Sequence, residues 1–205
     1  GNKNEHILFN GSRYFSEKGY DTVRFDFYND LPKARHFEET KLSQHGSDIS
    51  TVIKHFEKEY ENIYIIGHSF GGTSLLFTNH AHPKVKALVL WDPTYIIAEN
   101  ERKEFPFIKE LNGYCIDWGM RIIVGKPFIE ELFSFPDTQK LIRAIEKPVK
   151  FIGAGKASYK DSKRYYKEAN QSKSLALIMK AEHCFNTQED EQKLFAETIE
   201  WIKKY

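Results

Sequence analysis

The sequence predicts an α/β fold built on a mainly parallel, doubly wound sheet, and three observations predict it. Short β-branched and aromatic runs alternate along the chain with longer amphipathic stretches. Each run is nearly continuous in apolar character, as strands are when helices cover both of their faces. One run passes through a glycine-rich turn straight into a helical stretch, the unit from which crossover-connected parallel sheets are built.

Five strands are predicted, at residues 22–27 (TVRFDF), 63–66 (IYII), 87–91 (ALVLW), 149–152 (VKFI) and 175–179 (LALIM). Amphipathic stretches between them predict helices over 5–18, 47–59, 71–79, 161–169 and 189–204. Gly19 suits the end of the first helix, and Asp161 and Thr187 suit the N-caps of the last two. Residues 94–147 break the alternation. Rich in Phe, Ile, Glu and Lys and interrupted at Pro106, Pro127 and Pro136, they predict a small helical insertion without a clear strand, either a lid over a cleft or extra packing. Residues 1–205 are expected to form one domain that carries this insertion at about 94–147.

Composition excludes several classes. Against 30 Lys plus Arg stand 29 Asp plus Glu, for a net charge of +1, and nucleic acid or an anionic membrane would need basic residues in excess on one face. With 16 Phe, 11 Tyr and 3 Trp, the chain can bury a large apolar area and need not lean on disulfides or metals. No run approaches the roughly 18–20 consecutive apolar residues of a membrane helix, and no basic-then-apolar leader opens the chain. Cys115 and Cys184 are too few and too far apart for a disulfide framework or a zinc site. They are expected to be buried free thiols in a reducing compartment, which suggests the cytoplasm. Neither GxGxxG nor a P-loop is present, which argues against a nucleotide-binding module, and no cofactor is implied.

The most informative residues are Gly67-His68-Ser69-Phe70-Gly71-Gly72. GxSxG alone is a weak pattern. Here it comes directly after IYII and leads into TSLLFTN, the strand, sharp turn and helix of a nucleophile elbow. Side chains at positions 67 and 71 are expected to collide with the neighbouring strand and helix, while Ser69 takes a strained backbone conformation. The turn would lift the Ser69 hydroxyl to the carboxyl edge of the sheet and aim the Phe70 N–H at a developing oxyanion. Serine is a poor nucleophile near neutral pH, so a histidine base is required on a loop after the last strand. His183, directly after LALIMKAE, occupies that slot, whereas His68 is part of the elbow and the remaining six histidines fall elsewhere.

These segments resemble the α/β-hydrolase superfamily, and within it small bacterial serine esterases of the carboxylesterase and hydroxycinnamoyl-esterase kind. GHSFGG, ALVLWDP, KPVKFIGAG and LIMKAEHCF arrive in the family's order, and the resemblance covers most of the chain. It implies the α/β-hydrolase fold, a Ser-acid-His mechanism and a small-molecule ester as substrate. The opening stretch, GNKNEHILFNGSRYFSEKGYDTVRFDF, resembles the segment directly after a His-Gly-Phe loop in these esterases. The resemblance therefore places the second oxyanion donor ahead of Gly1, unless His6 to Asn10 is itself that strand and Asn10-Gly11 replaces His-Gly.

The family most often takes its acid from a Gly-x-x-Asp arrangement after the strand that here reads VKFI, but Ala157 or Ser158 stands at that position. Asp92, in LVLWDPTY, and Asp161 are the substitutes, and the absence of any acid is the third option. Asp26 is expected to be structural, and Cys184 to serve packing. Phe105, Phe107, Phe128, Phe133 and Phe135 either line an acyl or aryl pocket or form the core of the insertion. Competing readings are a thioesterase, amidase or lipase on the same machinery, and a non-catalytic binding protein of this fold. Oligomeric state is left open, a homodimer being one option.

Overall fold

The computed structural model describes residues 2–95, 105–117, 121–134 and 138–205. Elements in chain order are α1 (His6–Glu17), α2 (Leu42–Phe56), β1 (Ile63–His68), α3 (Phe70–Ser74), β2 (Val85–Trp91), β3 (Phe107–Ile108), β4 (Gly113–Asp117), β5 (Arg121–Gly125), α4 (Lys126–Ser134), α5 (Thr138–Arg143), β6 (Val149–Ala154), α6 (Gly155–Glu168), β7 (Lys173–Ile178) and α7 (Gln188–Ile202). Four of the strands form a parallel sheet in the order β1-β2-β6-β7.

Period-two alternation explains why these strands are apolar throughout. Ala87, Val89 and Trp91 of β2, with Ile152 and Ala154 of β6, join a core closed by Ile7 and Phe15 of α1 and Leu194, Phe195 and Ile199 of α7. The residues between them, Leu88, Leu90, Val149 and Phe151, join a second core with Ile49 and Ile53 of α2, Leu75 and Tyr165. Helix α2 presents Leu42, His45, Gly46, Ile49 and Ile53 at helical spacing. At the start of α7 the Thr187 side chain accepts the Asp190 N–H (3.1 Å), and Glu189, Asp190 and Glu191 complement the helix dipole. Between sheet and helix, the Trp91 indole of β2 donates to Thr198 Oγ1 of α7 (2.9 Å), so this fully buried side chain leaves no polar atom unpaired.

Several expectations are corrected. Residues 22–27 are not a strand: composition favours β structure there, but among the described residues no backbone pairs with this segment, and a strand exists only through its ladder. Residues 22–27 and β1 instead both line a cleft of about 1920 Å³. The insertion is not purely helical, since β3, β4 and β5 form an antiparallel sheet in that order. Ile116 and Val124 of that sheet pack with Phe128, Ile129 and Leu132 of α4 in a third core. Helix α6 starts at Gly155, where the backbone turns through φ +56°, so Asp161 lies in its interior and caps nothing. Residues 6–10 belong to α1, which removes their reading as a strand.

Neither cysteine is fully buried. Cys115 is half-buried and Cys184 is exposed, so Cys184 does not serve packing. Asp26 accepts from the Lys3 backbone N–H (2.6 Å) and ammonium (2.5 Å). Among the described residues no helix is long and apolar enough to cross a membrane.

Candidate active site

Parallel pairing brings the carboxyl ends of all four strands to one edge of the sheet, and three chemically useful side chains lie just past strand ends there. Ser69 comes after β1, Asp92 after β2, and His183 lies in the loop after β7. Ser69 sits at φ 56° and ψ −126°, outside the regions where L-residues rest comfortably, between the last residue of β1 and the first of α3. Its own N–H is held by the Trp91 carbonyl (3.0 Å).

The turn tolerates a side chain at one of the two expected glycines but not the other. A Cβ on Gly67 would lie 2.5 Å from the Gly71 carbonyl oxygen, whereas a Cβ on Gly71 would meet nothing within 4 Å. Collision is therefore confined to position 67, because the chain doubles back over the end of β1 and leaves position 71 facing open space.

Ser69 Oγ lies 2.9 Å from His183 Nε2, and His183 Nδ1 lies 2.6 Å from Asp92 Oδ2. The remaining Asp92 oxygen, Oδ1, accepts the Ala154 N–H (2.9 Å), and the Asp92 N–H donates to the Ile152 carbonyl (2.7 Å). Asp92 is 2% exposed, and it takes φ 39° to turn its carboxylate back over the sheet edge. The His183 side chain, by contrast, is 48% exposed. With the carboxylate on Nδ1, that nitrogen carries the proton and Nε2 is left to accept from the serine hydroxyl.

Asp161 takes no part in this chain of hydrogen bonds. Its carboxylate accepts the Tyr95 N–H (3.3 Å) and lies 3.8 Å from Arg164, and burial pushes its pKa up. The Phe70 amide is the first past the serine, at the start of α3. Among the described residues no group of three or more His, Cys, Asp or Glu side chains could hold a metal ion.

Two neighbours of Ser69 and His183 were not singled out by the sequence. Thr94 Oγ1 lies 3.5 Å from Ser69 Oγ, and its carbonyl is anchored by Thr73 Oγ1 (2.6 Å) and the Tyr165 hydroxyl (2.8 Å). His68 Nε2 donates to the His183 carbonyl (2.8 Å). Burial, with His183 close by, brings the His68 pKa down to about 4, so this ring is neutral near pH 7. The position of His68 inside GHS was the available signal, but its partner lies beyond the reach of any local pattern.

The cleft opens over Ser69 and His183. Phe105, Phe128 and Phe133 from the insertion line it together with Phe70. Phe105 and Phe133 stack at 5.9 Å, and the Phe70 ring meets Phe128 edge-on at 5.4 Å. Phe128 is also part of the insertion's core. Phe107 is exposed and packs on Tyr114 instead, and Phe135 lies outside the described residues.

No family model matches the chain, and no curated protein does. Solved structures do. Est1E from Butyrivibrio proteoclasticus with ferulic acid bound matches at a TM-score of 0.77 and 21% identity, covering 99% of this chain and 86% of that one. Alpha/beta hydrolase domain-containing protein 10 from mouse matches at 0.75 and 17% identity, over 100% of this chain and 86% of that one. The esterase domain of a Rhodothermus marinus protein matches at 0.73 and 19%, over 97% and 80%. The fold of this chain is the α/β-hydrolase fold.

Proposed function

We propose that this protein is a serine hydrolase that cleaves carboxylic esters of small acyl substrates through an acyl-enzyme. The observation that carries this reading is the hydrogen-bonded line from Ser69 Oγ through His183 to Asp92 Oδ2. Ser69 Oγ attacks the ester carbonyl carbon while His183 Nε2 takes its proton. The carbonyl oxygen becomes the oxyanion, held in part by the Phe70 N–H. Asp92 faces the imidazolium so formed and keeps the proton on Nδ1. Collapse breaks the bond to the alcohol oxygen, which leaves with the proton from Nε2. Water then enters by the same route: His183 takes its proton, the hydroxide oxygen bonds to the acyl carbon, and the acid departs as Ser69 recovers its hydrogen.

The aromatic wall of Phe70, Phe105, Phe128 and Phe133 supports an aryl or other flat apolar acyl group. Est1E binds ferulic acid, and esters of phenylpropenoic acids are the first substrates to try on that ground. Unpaired Cys115 and Cys184 favour a reducing compartment such as the cytoplasm.

The test is hydrolysis of nitrophenyl acetate together with labelling by a fluorophosphonate probe. Turnover and a single adduct on Ser69, both lost in Ser69→Ala, are expected. If the folded protein neither turns over short esters nor takes up the probe, the reading fails, and the chain is a binding protein on a hydrolase fold.

A further inference from the structure

β1 and β7 are the two ends of the strand order, so no ladder bond links the strand that leads into Ser69 to the loop that carries His183. That loop is tied to β7 by the Ala181 N–H on the Ile178 carbonyl (3.1 Å) and to itself by the Phe185 N–H on the Glu182 carbonyl (2.8 Å). Its turn passes through φ 52° at Phe185, a conformation that an aromatic residue keeps only when its surroundings enforce it. A direct tie to β1 comes from His68, the last residue of that strand.

Donation from His68 Nε2 to the His183 carbonyl (2.8 Å) attaches the base's own peptide group to the strand end next to the nucleophile. The two imidazole rings also meet, with centroids 4.8 Å apart and planes at 38°, and Phe185 meets His68 edge-on at 6.3 Å. One residue thus holds the backbone of the base and one side of its ring. Neutrality matters here. A second cation at this distance would oppose the imidazolium that forms during acyl transfer, whereas an uncharged ring offers it a polarisable face.

We infer that His68 is a positioning residue for His183, holding its imidazole in register with Ser69 Oγ and Asp92 through the backbone carbonyl and the ring contact. The inference rests on reading Ser69 and His183 as nucleophile and base. It makes no use of His68 as a proton donor to substrate.

The experiment compares His68→Phe, which keeps a ring but loses the donor, with His68→Gln, whose amide N–H can reach the same carbonyl. His68→Leu is a second donor-free variant should the phenyl ring disturb folding. The first readout needs no turnover: the downfield proton NMR signal of His183 Nδ1–H on Asp92, recorded in the resting proteins. The second is steady-state hydrolysis of nitrophenyl acetate.

In the donor-free variants the signal is expected to broaden or vanish, and kcat to fall about ten- to a hundredfold with KM unchanged. His68→Gln is expected to recover the signal and most of kcat. Wild-type signal and kcat in a folded donor-free variant would overturn the inference, as would a His68→Gln protein as impaired as His68→Phe. Should wild-type protein bind no probe and hydrolyse no ester, the serine-hydrolase reading fails by itself, and the NMR comparison still decides whether His68 holds His183.

Discussion

Asp92 Oδ2 lies 2.6 Å from Nδ1 of His183, across 91 residues of chain, while Asp161 bonds elsewhere. Asp92→Asn keeps an oxygen for the Ala154 N–H and tolerates φ 39°, so the fold should persist. Its amide cannot hold the proton on Nδ1 or face an imidazolium, and kcat for nitrophenyl acetate is expected to drop by about 10⁴. Asp161→Asn should leave kcat nearly unchanged. The reverse ranking of the two variants would move the acid to α6.

The glycines of the elbow make a contrast in stability. At Gly67 a new methyl group would sit 2.5 Å from a backbone oxygen, and the sheet cannot yield there without displacing α3. Gly67→Ala is expected to lose more than about 2 kcal/mol in urea unfolding, the range of overpacked cores, and to abolish probe labelling. Gly71→Ala meets open space inside a helix and should be neutral or slightly stabilising by chemical denaturation. Equal losses at both positions would contradict the geometry of the turn.

What the sequence made legible was local. GHSFGG could be read because strand, turn and helix succeed one another within a few residues, and LIMKAEHCF because the loop that carries His183 continues from a strand without interruption. Choosing between Asp92 and Asp161 needed the pairing of β2 with β6, which sets the Asp92 carboxylate on the Ala154 amide and turns it toward the β7 loop. Residues 22–27 misled for the opposite reason: alternating β-formers promise a strand, but a ladder partner must come from elsewhere in the chain. β4 and β5 are not legible in the sequence because GYCID and RIIVG are short runs in a segment broken by prolines.

The aromatic wall should govern acyl selectivity. Phe105 and Phe133 stack on each other at the cleft and contribute no polar atom to the reaction. Phe133→Ala opens the wall beside the acyl group, and kcat/KM for an aryl-acid ester relative to an acetate ester is expected to fall about tenfold, with acetate hydrolysis little changed. A uniform loss on both substrates would assign Phe133 to the core of the insertion.

His45 makes the fold acid-sensitive. It is 3% exposed, its ring stacks on Phe27 at 4.2 Å, and Nδ1 donates to Ser74 Oγ (3.1 Å), whose own hydrogen goes to the Phe70 carbonyl. Burial lowers its pKa from 6.5 to about 4. The unfolded chain therefore binds a proton that the folded chain refuses between those values. Stability is present in full above pH 6.5 and is lost as the pH falls toward 4, by about 3 kcal/mol at most for this group. His68, lowered to about 4 as well, acts in the same direction. Urea unfolding of the wild type should thus show a marked drop between pH 7.5 and 4.5, and His45→Gln, whatever it costs at pH 7.5, should drop by less over the same interval. An identical drop in the two proteins would mean that His45 is protonated in the folded state, and that its buried site beside Phe27 admits a charge.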